Sequence, residues 1–222
     1  MKKINGLILL SVLVLLTSTH SFAFAAGLNA PQKAILETSD LLHDIVSKEK
    51  EQLGDRQFVF QLVNEVVEPR VDLNKISKLI LGKHWRKATD VQKAQFQKEF
   101  KNLLVNTYAT AFTEFNDWTV KFLPMSLDPA DKRVVVKSKI ITASRPAIAV
   151  NYRMAKNKAG EWKAYDVIIE GISMVTNYKG SFSSSIKRSG GLDNVIKDLA
   201  AKNKQSEESA KKQDLEEVSD NS

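Results

Sequence analysis

The side chains that could do chemistry in this chain are few, and the most suggestive are two carboxylates. Asp166 and Glu170 stand in Trp162-Lys163-Ala164-Tyr165-Asp166-Val167-Ile168-Ile169-Glu170-Gly171-Ile172-Ser173, whose apolar alternation reads as a strand. If that alternation is unbroken they share a face, as an acid and base pair would need to. Four residues along a strand span about 13 Å, too far for both to act on one bond. A hydrogen-bonded structural role for Asp166 is the competing expectation. Gly171-Ile172-Ser173-Met174-Val175 lacks the second glycine of a nucleophile elbow, so a serine hydrolase is not indicated. Beyond residue 25 the histidines are His43 and His84, and neither has a second histidine or carboxylate pair at ligand spacing. No metal centre is expected. Gly190-Gly191 has neither the lysine nor the spacing of a phosphate-cradling loop.

Binding rather than reaction is therefore the better field. Lys83, Arg86 and Lys87 surround Trp85 and His84, a basic and aromatic cluster of the kind that can face nucleic acid. Two readings stay open for it: a solvated turn with Trp85 anchored in the core, or a headgroup or membrane-surface contact. The N-terminus weighs against nucleic acid. Lys2 and Lys3 precede an apolar run from Leu7 to Leu16 and the small-residue site Ala23-Phe24-Ala25, which reads as a cleaved export signal over 1–25. The run is shorter than the roughly 20 apolar residues needed to span a bilayer. Losing its two lysines takes the net charge from +7 to +5, and an exported basic chain favours anionic membrane surfaces or acidic partner patches. There is no cysteine, so a single domain over 26–203 must be held by its core alone.

The elements that would position any site follow from periodicity. Apolar stripes at helical spacing run from Pro31 to about Leu53, through Phe58, Leu62, Val63 and Val66 to a stop at Pro69, and through Ile76, Leu79 and Ile80 to Gly82. Thr89-Asp90-Val91-Gln92 is a capping box opening a long helix through Phe96, Phe100, Leu104, Tyr108 and Phe112. The period then falls to two at Trp118–Phe122, Val134–Ile140, Ile148–Met154 and Glu161–Ile169, with short turns between, which predicts a four-stranded antiparallel meander covered by helices on one face. Two closing helices flank Gly190-Gly191. The lysine- and glutamate-rich stretch 204–222 has almost no apolar residues and reads as a mobile polar tail.

Val134 to Val136 and Val167 to Ile169 are apolar at both alternating positions, more than a half-solvated meander requires. Core filling and an apolar cavity on the sheet's concave face both account for this. The cavity reading draws Phe60, Leu62 and Val66 from the second helix, Val134, Val136, Ile148 and Val150 from the sheet, and Val167, Ile169 and Met174 at its end.

Two blocks carry a resemblance: Leu81-Gly82, Trp85, Thr89, Gln92, Phe96 and Phe100, then Trp162, Tyr165-Asp166, Glu170-Gly171 and Ser173. With Tyr108 and Asn177-Tyr178-Lys179 they make the chain, from about Pro31 to Asn203, resemble the MlaC or toluene-tolerance family of periplasmic phospholipid-binding proteins. The resemblance implies an α+β cone, similar to nuclear-transport-factor folds, enclosing the acyl tails of a glycerophospholipid as cargo, with no cofactor. It further implies a shuttle between an outer-membrane lipoprotein and porin complex and an inner-membrane MCE-domain ABC transporter that maintains outer-membrane lipid asymmetry. Lys83, Arg86 and Lys87 are then candidate headgroup or membrane-surface contacts. The competing classes are a cone-shaped isomerase or hydrolase using Asp166 and a periplasmic chaperone or scaffold.

Overall fold

The structure, a computed structural model, describes residues 27–108, 117–143 and 145–220, with side chains through residue 209. The export signal expected over 1–25 and the expected continuation of the long helix to Phe112 fall outside the described residues.

Five strands in sequential order form one antiparallel sheet: β1 (Thr119–Phe122), β2 (Arg133–Ile141), β3 (Ile148–Lys156), β4 (Trp162–Ile169) and β5 (Ile172–Ser173). The fifth is absent from the sequence reading. It is only two residues long, pairing Ile172 with Ile169 across a two-residue turn at Glu170-Gly171. Both turn residues have positive φ, 48° and 82°, the mirror-image turn that suits strand twist and that glycine adopts without strain.

Helices cover one face of the sheet. α1 (Ala30–Lys48) opens with Asn29 and Gln32 capping one another and Pro31 in its first turn, so the exposed amides of its N-terminus are satisfied. α2 (Arg56–Leu62) is capped by Asp55. It widens into a π-type turn over Val63–Val67 and tightens to a 3₁₀ turn at Glu68–Arg70, where Pro69 ends it as expected. α3 (Leu73–Leu81) starts at Asp72 and stops at Gly82, whose φ of 52° and ψ of −113° suit no residue with a Cβ. α4 (Lys83–Lys87) is a single turn. α5 (Asp90–Tyr108) begins at the reciprocal Thr89 and Gln92 bonds that the sequence predicts. α6 (Met174–Ser189) ends at left-handed Gly190, and α7 (Leu192–Asp220) follows.

The apolar interior forms three clusters rather than one. Phe96 and Phe100 of α5, Trp85, Phe182 and Ile186 of α6, and Val195 and Leu199 of α7 make the largest. Ile35 of α1 packs on Val136, Met154, Trp162 and Ala164 of the sheet. Val46, Leu53, Leu62 and Val66 make the third. The far face of the sheet is solvated, which places Val135 at the surface and leaves Val136 fully buried.

The stretch from residue 204 also differs from expectation, because α7 continues through Asp220. Among the residues whose side chains are described, its last buried one is Asn203. Alanine, lysine, glutamate and glutamine are nevertheless strong helix formers, and pairs such as Lys204 with Glu208 at 3.8 Å support the helix.

Candidate functional site

The alternation along β4 is broken, and the break decides what the site looks like. Arg153 pairs with Asp166 but Met154 pairs with Ala164, so Tyr165 is one residue too many on β4, a β-bulge. Before it, Trp162 and Ala164 point inward. After it, the inward positions are Val167 and Ile169, opposite Tyr152 and Val150.

Asp166, opposite Arg153 just after the bulge, is 3% exposed. It accepts from Arg153 Nη1 at 3.0 Å, from Ser173 Oγ at 2.7 Å and from the Val175 amide at 3.0 Å. Ser173 in turn caps α6 through the Thr176 amide. Asp166 thus fixes where α6 leaves the sheet. Glu170 sits in the exposed turn, where its carboxylate accepts from the Ala149 amide, so the two acids do not share a face. The acid and base pairing considered from the sequence is not formed.

Between β4 and the helices lies an apolar cavity of about 340 Å³. Its floor is Ala164, Val167 and Ile169. Its walls are Leu73, Ile76 and Ile80 of α3, Phe100, Leu104 and Tyr108 of α5, Met174, Val175 and Tyr178 of α6, and Val63 and Val67 of the widened turn. The charged side chains at its edge are engaged elsewhere: Lys101 bonds Glu68 at 2.9 Å and Asn64 at 3.0 Å, and Asp166 has its three donors. Burial, and secondarily the neighbouring Tyr108 hydroxyl, pushes the Tyr178 hydroxyl far up, so it stays neutral. The volume falls at the low end of small-molecule pockets, about 300–1,000 Å³. What such a wall can hold is hydrocarbon.

Of the residues drawn from the sequence, the structure brings Val167, Ile169 and Met174 to this wall. The others lie elsewhere. Phe60 borders a separate polar cleft under Arg56, 5.2 Å from its ring centre, where α2 meets α5 and α7. Leu62 and Val66 are filled core around Val46, because the helical stripe that carries them faces α1 rather than the sheet. Val134 and Val136 pack in the cluster beneath α1. Val150 is buried opposite Ile169 and Ile148 half-buried opposite Ile140, both on the inner face but outside the cavity. Lys83, Arg86 and Lys87 are exposed and Trp85 is core, all outside the cavity wall.

Sequence reasoning missed most of the helical wall. Its signal was present in α5, where Leu103 and Leu104 are both apolar: both pack on the main core, and Leu104 also lines the cavity.

Comparison with known proteins gives this geometry a family context. The model of a family described as MlaC protein matches residues 37–201. The toluene tolerance protein ttg2D of Pseudomonas putida is 31% identical over 161 residues, which is 72% of this chain and 74% of that protein. The intermembrane phospholipid transport system binding protein MlaC of Haemophilus influenzae is 25% identical over 159 residues, 70% of this chain and 73% of that one. A phospholipid-binding protein from Ralstonia solanacearum, solved in complex with a phospholipid, superposes with a TM-score of 0.75 at 31% identity, covering 80% of this chain and 99% of that chain.

Proposed function

This chain belongs to the MlaC family, and from that premise we propose that it is a periplasmic phospholipid carrier: it takes up a glycerophospholipid, holds the acyl chains in the cavity between β4 and helices α3, α5 and α6, and moves the lipid between membranes. The observation that carries the reading is the cavity wall, where side chains from five elements converge and every polar head at the edge is bonded away.

The energetics fit a carrier. Each buried methylene is worth about 0.8 kcal/mol, so two tails of roughly sixteen carbons represent on the order of 20 kcal/mol of gross transfer free energy. A protein that moves such a molecule through water must bury the tails nearly as well as a bilayer does and still let them go. A diacyl lipid is larger than the drug-sized ligands that fit 300–1,000 Å³, so loading spreads the helices away from β4. The finer parts of the proposal are export by cleavage within residues 1–25, a lipid-binding domain over 26–203, and exchange with an outer-membrane lipoprotein and porin complex and an inner-membrane MCE-domain transporter. Asp166 has no catalytic part in it, its oxygens being taken up by Arg153, Ser173 and the Val175 amide.

Native mass spectrometry of the chain from Ala26, purified without detergent, tests the proposal. The expected result is phospholipid bound to the wild type and lost from Leu104→Arg, which places a charge on the half-buried wall. An empty wild type that also fails to take lipid from vesicles would overturn it. Val136→Arg is unsuitable, because that side chain is fully buried core under α1.

A further inference from the structure

The cavity opens at a particular place. Among the described residues of its wall, only Tyr108 and Ile169 are exposed, at 41% and 38%. Ile169 ends β4, and the sheet register carries that end across the molecule: Ile172, 63% exposed, pairs with Ile169, and Ile141, 39% exposed, ends β2 at the same edge. Ile169 and Ile172 thus stand at the rim from which the cavity is entered, and Ile141 lies at the same end of the sheet on its solvated face, one position beyond inward-facing Ile140.

Directly behind this rim, on the solvated face of β1 and β2, stand Lys121, Lys137 and Lys139. Lys121 lies directly across from Lys139, and that row continues through Ala149 to the Glu170 turn. Like charges placed opposite one another in adjacent strands destabilise a sheet. None of the three has a hydrogen-bonding or ionic partner among the described residues. Glu170, the acid at the end of the same row, accepts from the Ala149 amide.

We infer that this rim docks on the surface of an anionic glycerophospholipid bilayer, with Ile172, Ile141 and Tyr108 at the boundary between headgroups and acyl chains and the three lysines at the level of the phosphates. The inference rests on the carrier reading and gives it a route: a lipid leaving the bilayer meets Ile169 and Tyr108 without its tails crossing water. Apolar side chains that enter the interface with cations set just behind them are what membrane-surface elements use. The bilayer's negative potential offsets the repulsion between Lys121 and Lys139.

Flotation with phosphatidylcholine vesicles, with and without phosphatidylglycerol, at low and high sodium chloride, tests this on the chain from Ala26. The wild type is expected to float with phosphatidylglycerol vesicles and to be released by salt. Ile172→Asp and the double variant Lys121→Glu with Lys139→Glu are each expected to bind at least about ten-fold more weakly. Both should keep the wild-type thermal midpoint, since all three side chains are exposed and the lysine pair is exchanged for another like-charged pair. Lipid content is read in parallel by native mass spectrometry. A wild type that carries lipid but ignores vesicles, or variants that bind as the wild type does, would overturn the docking inference and leave the carrier standing. Vesicle binding by a chain that never holds lipid would overturn the carrier instead.

Discussion

Asp166 is the residue on which the two halves of the site meet, since it joins a strand bulge to the first turn of a helix through three donors. Asp166→Ala removes all three bonds from a buried position. Arg153 is 43% exposed and returns to water, so the loss is smaller than for a fully buried ion pair, about 2 kcal/mol by urea unfolding. Asp166→Asn keeps most of the bonds and should lose less. The sequence showed that Asp166 was special without showing why. The pairing of Asp166 with Glu170 fails because β4 ends at Ile169 and Glu170 turns away, at φ 48°, in the tight turn to β5, a turn that exists only because β5 pairs back on β4. Tyr152 supplies a second test. Burial pushes its hydroxyl up to about 12 from the ordinary 10.0, with the Ser138 hydrogen bond opposing. A folded-state pKa raised above the unfolded one leaves stability unchanged below about pH 10 and removes it as pH climbs toward about 12. Thermal midpoints of wild type and Tyr152→Phe across that interval should diverge, with the wild type falling faster.

Elements were more legible than residues because each announces itself locally. The capping box at Thr89 and Gln92, the stop at Pro69, the helix break at Gly190 and the alternation of β2 and β3 are encoded within a few neighbours, and all stand where the sequence puts them. What the sequence left unread needs distant chain: β5 exists only by pairing with Ile168 and Ile169, and the widened turn at Val63–Val67 reflects packing against the cavity rather than propensity. Gly82 joins the two kinds, a local signal with a distant purpose. Its backbone directs α3 into α4 and so holds Ile80 on the cavity and Trp85 in the core. Gly82→Ala has room for its methyl, the nearest atom being Lys179 Cε at 4.0 Å, so any loss comes from the backbone conformation. The expected cost is about 2 kcal/mol by urea unfolding, with stoichiometric lipid retained where folded protein remains.

At the scale of the whole molecule, the three-part interior matters more than any single contact. The largest cluster ties α5, α6 and α7 together, a second binds the sheet to α1, and the cavity lies along the boundary between them. Helices on one side can therefore shift against β4 without dismantling either cluster, which is the movement that loading requires. A volume of about 340 Å³ walled by valine, leucine, isoleucine and aromatic rings offers water almost nothing to bond to. That makes hydrostatic pressure a gauge of occupancy, because unfolding eliminates internal void and pressure favours the smaller total volume. The delipidated protein should unfold at distinctly lower pressure than the loaded one, followed by tryptophan fluorescence. Cargo inside this chain then acts as an incompressible filling, bracing from within a shell whose own side chains leave the space open.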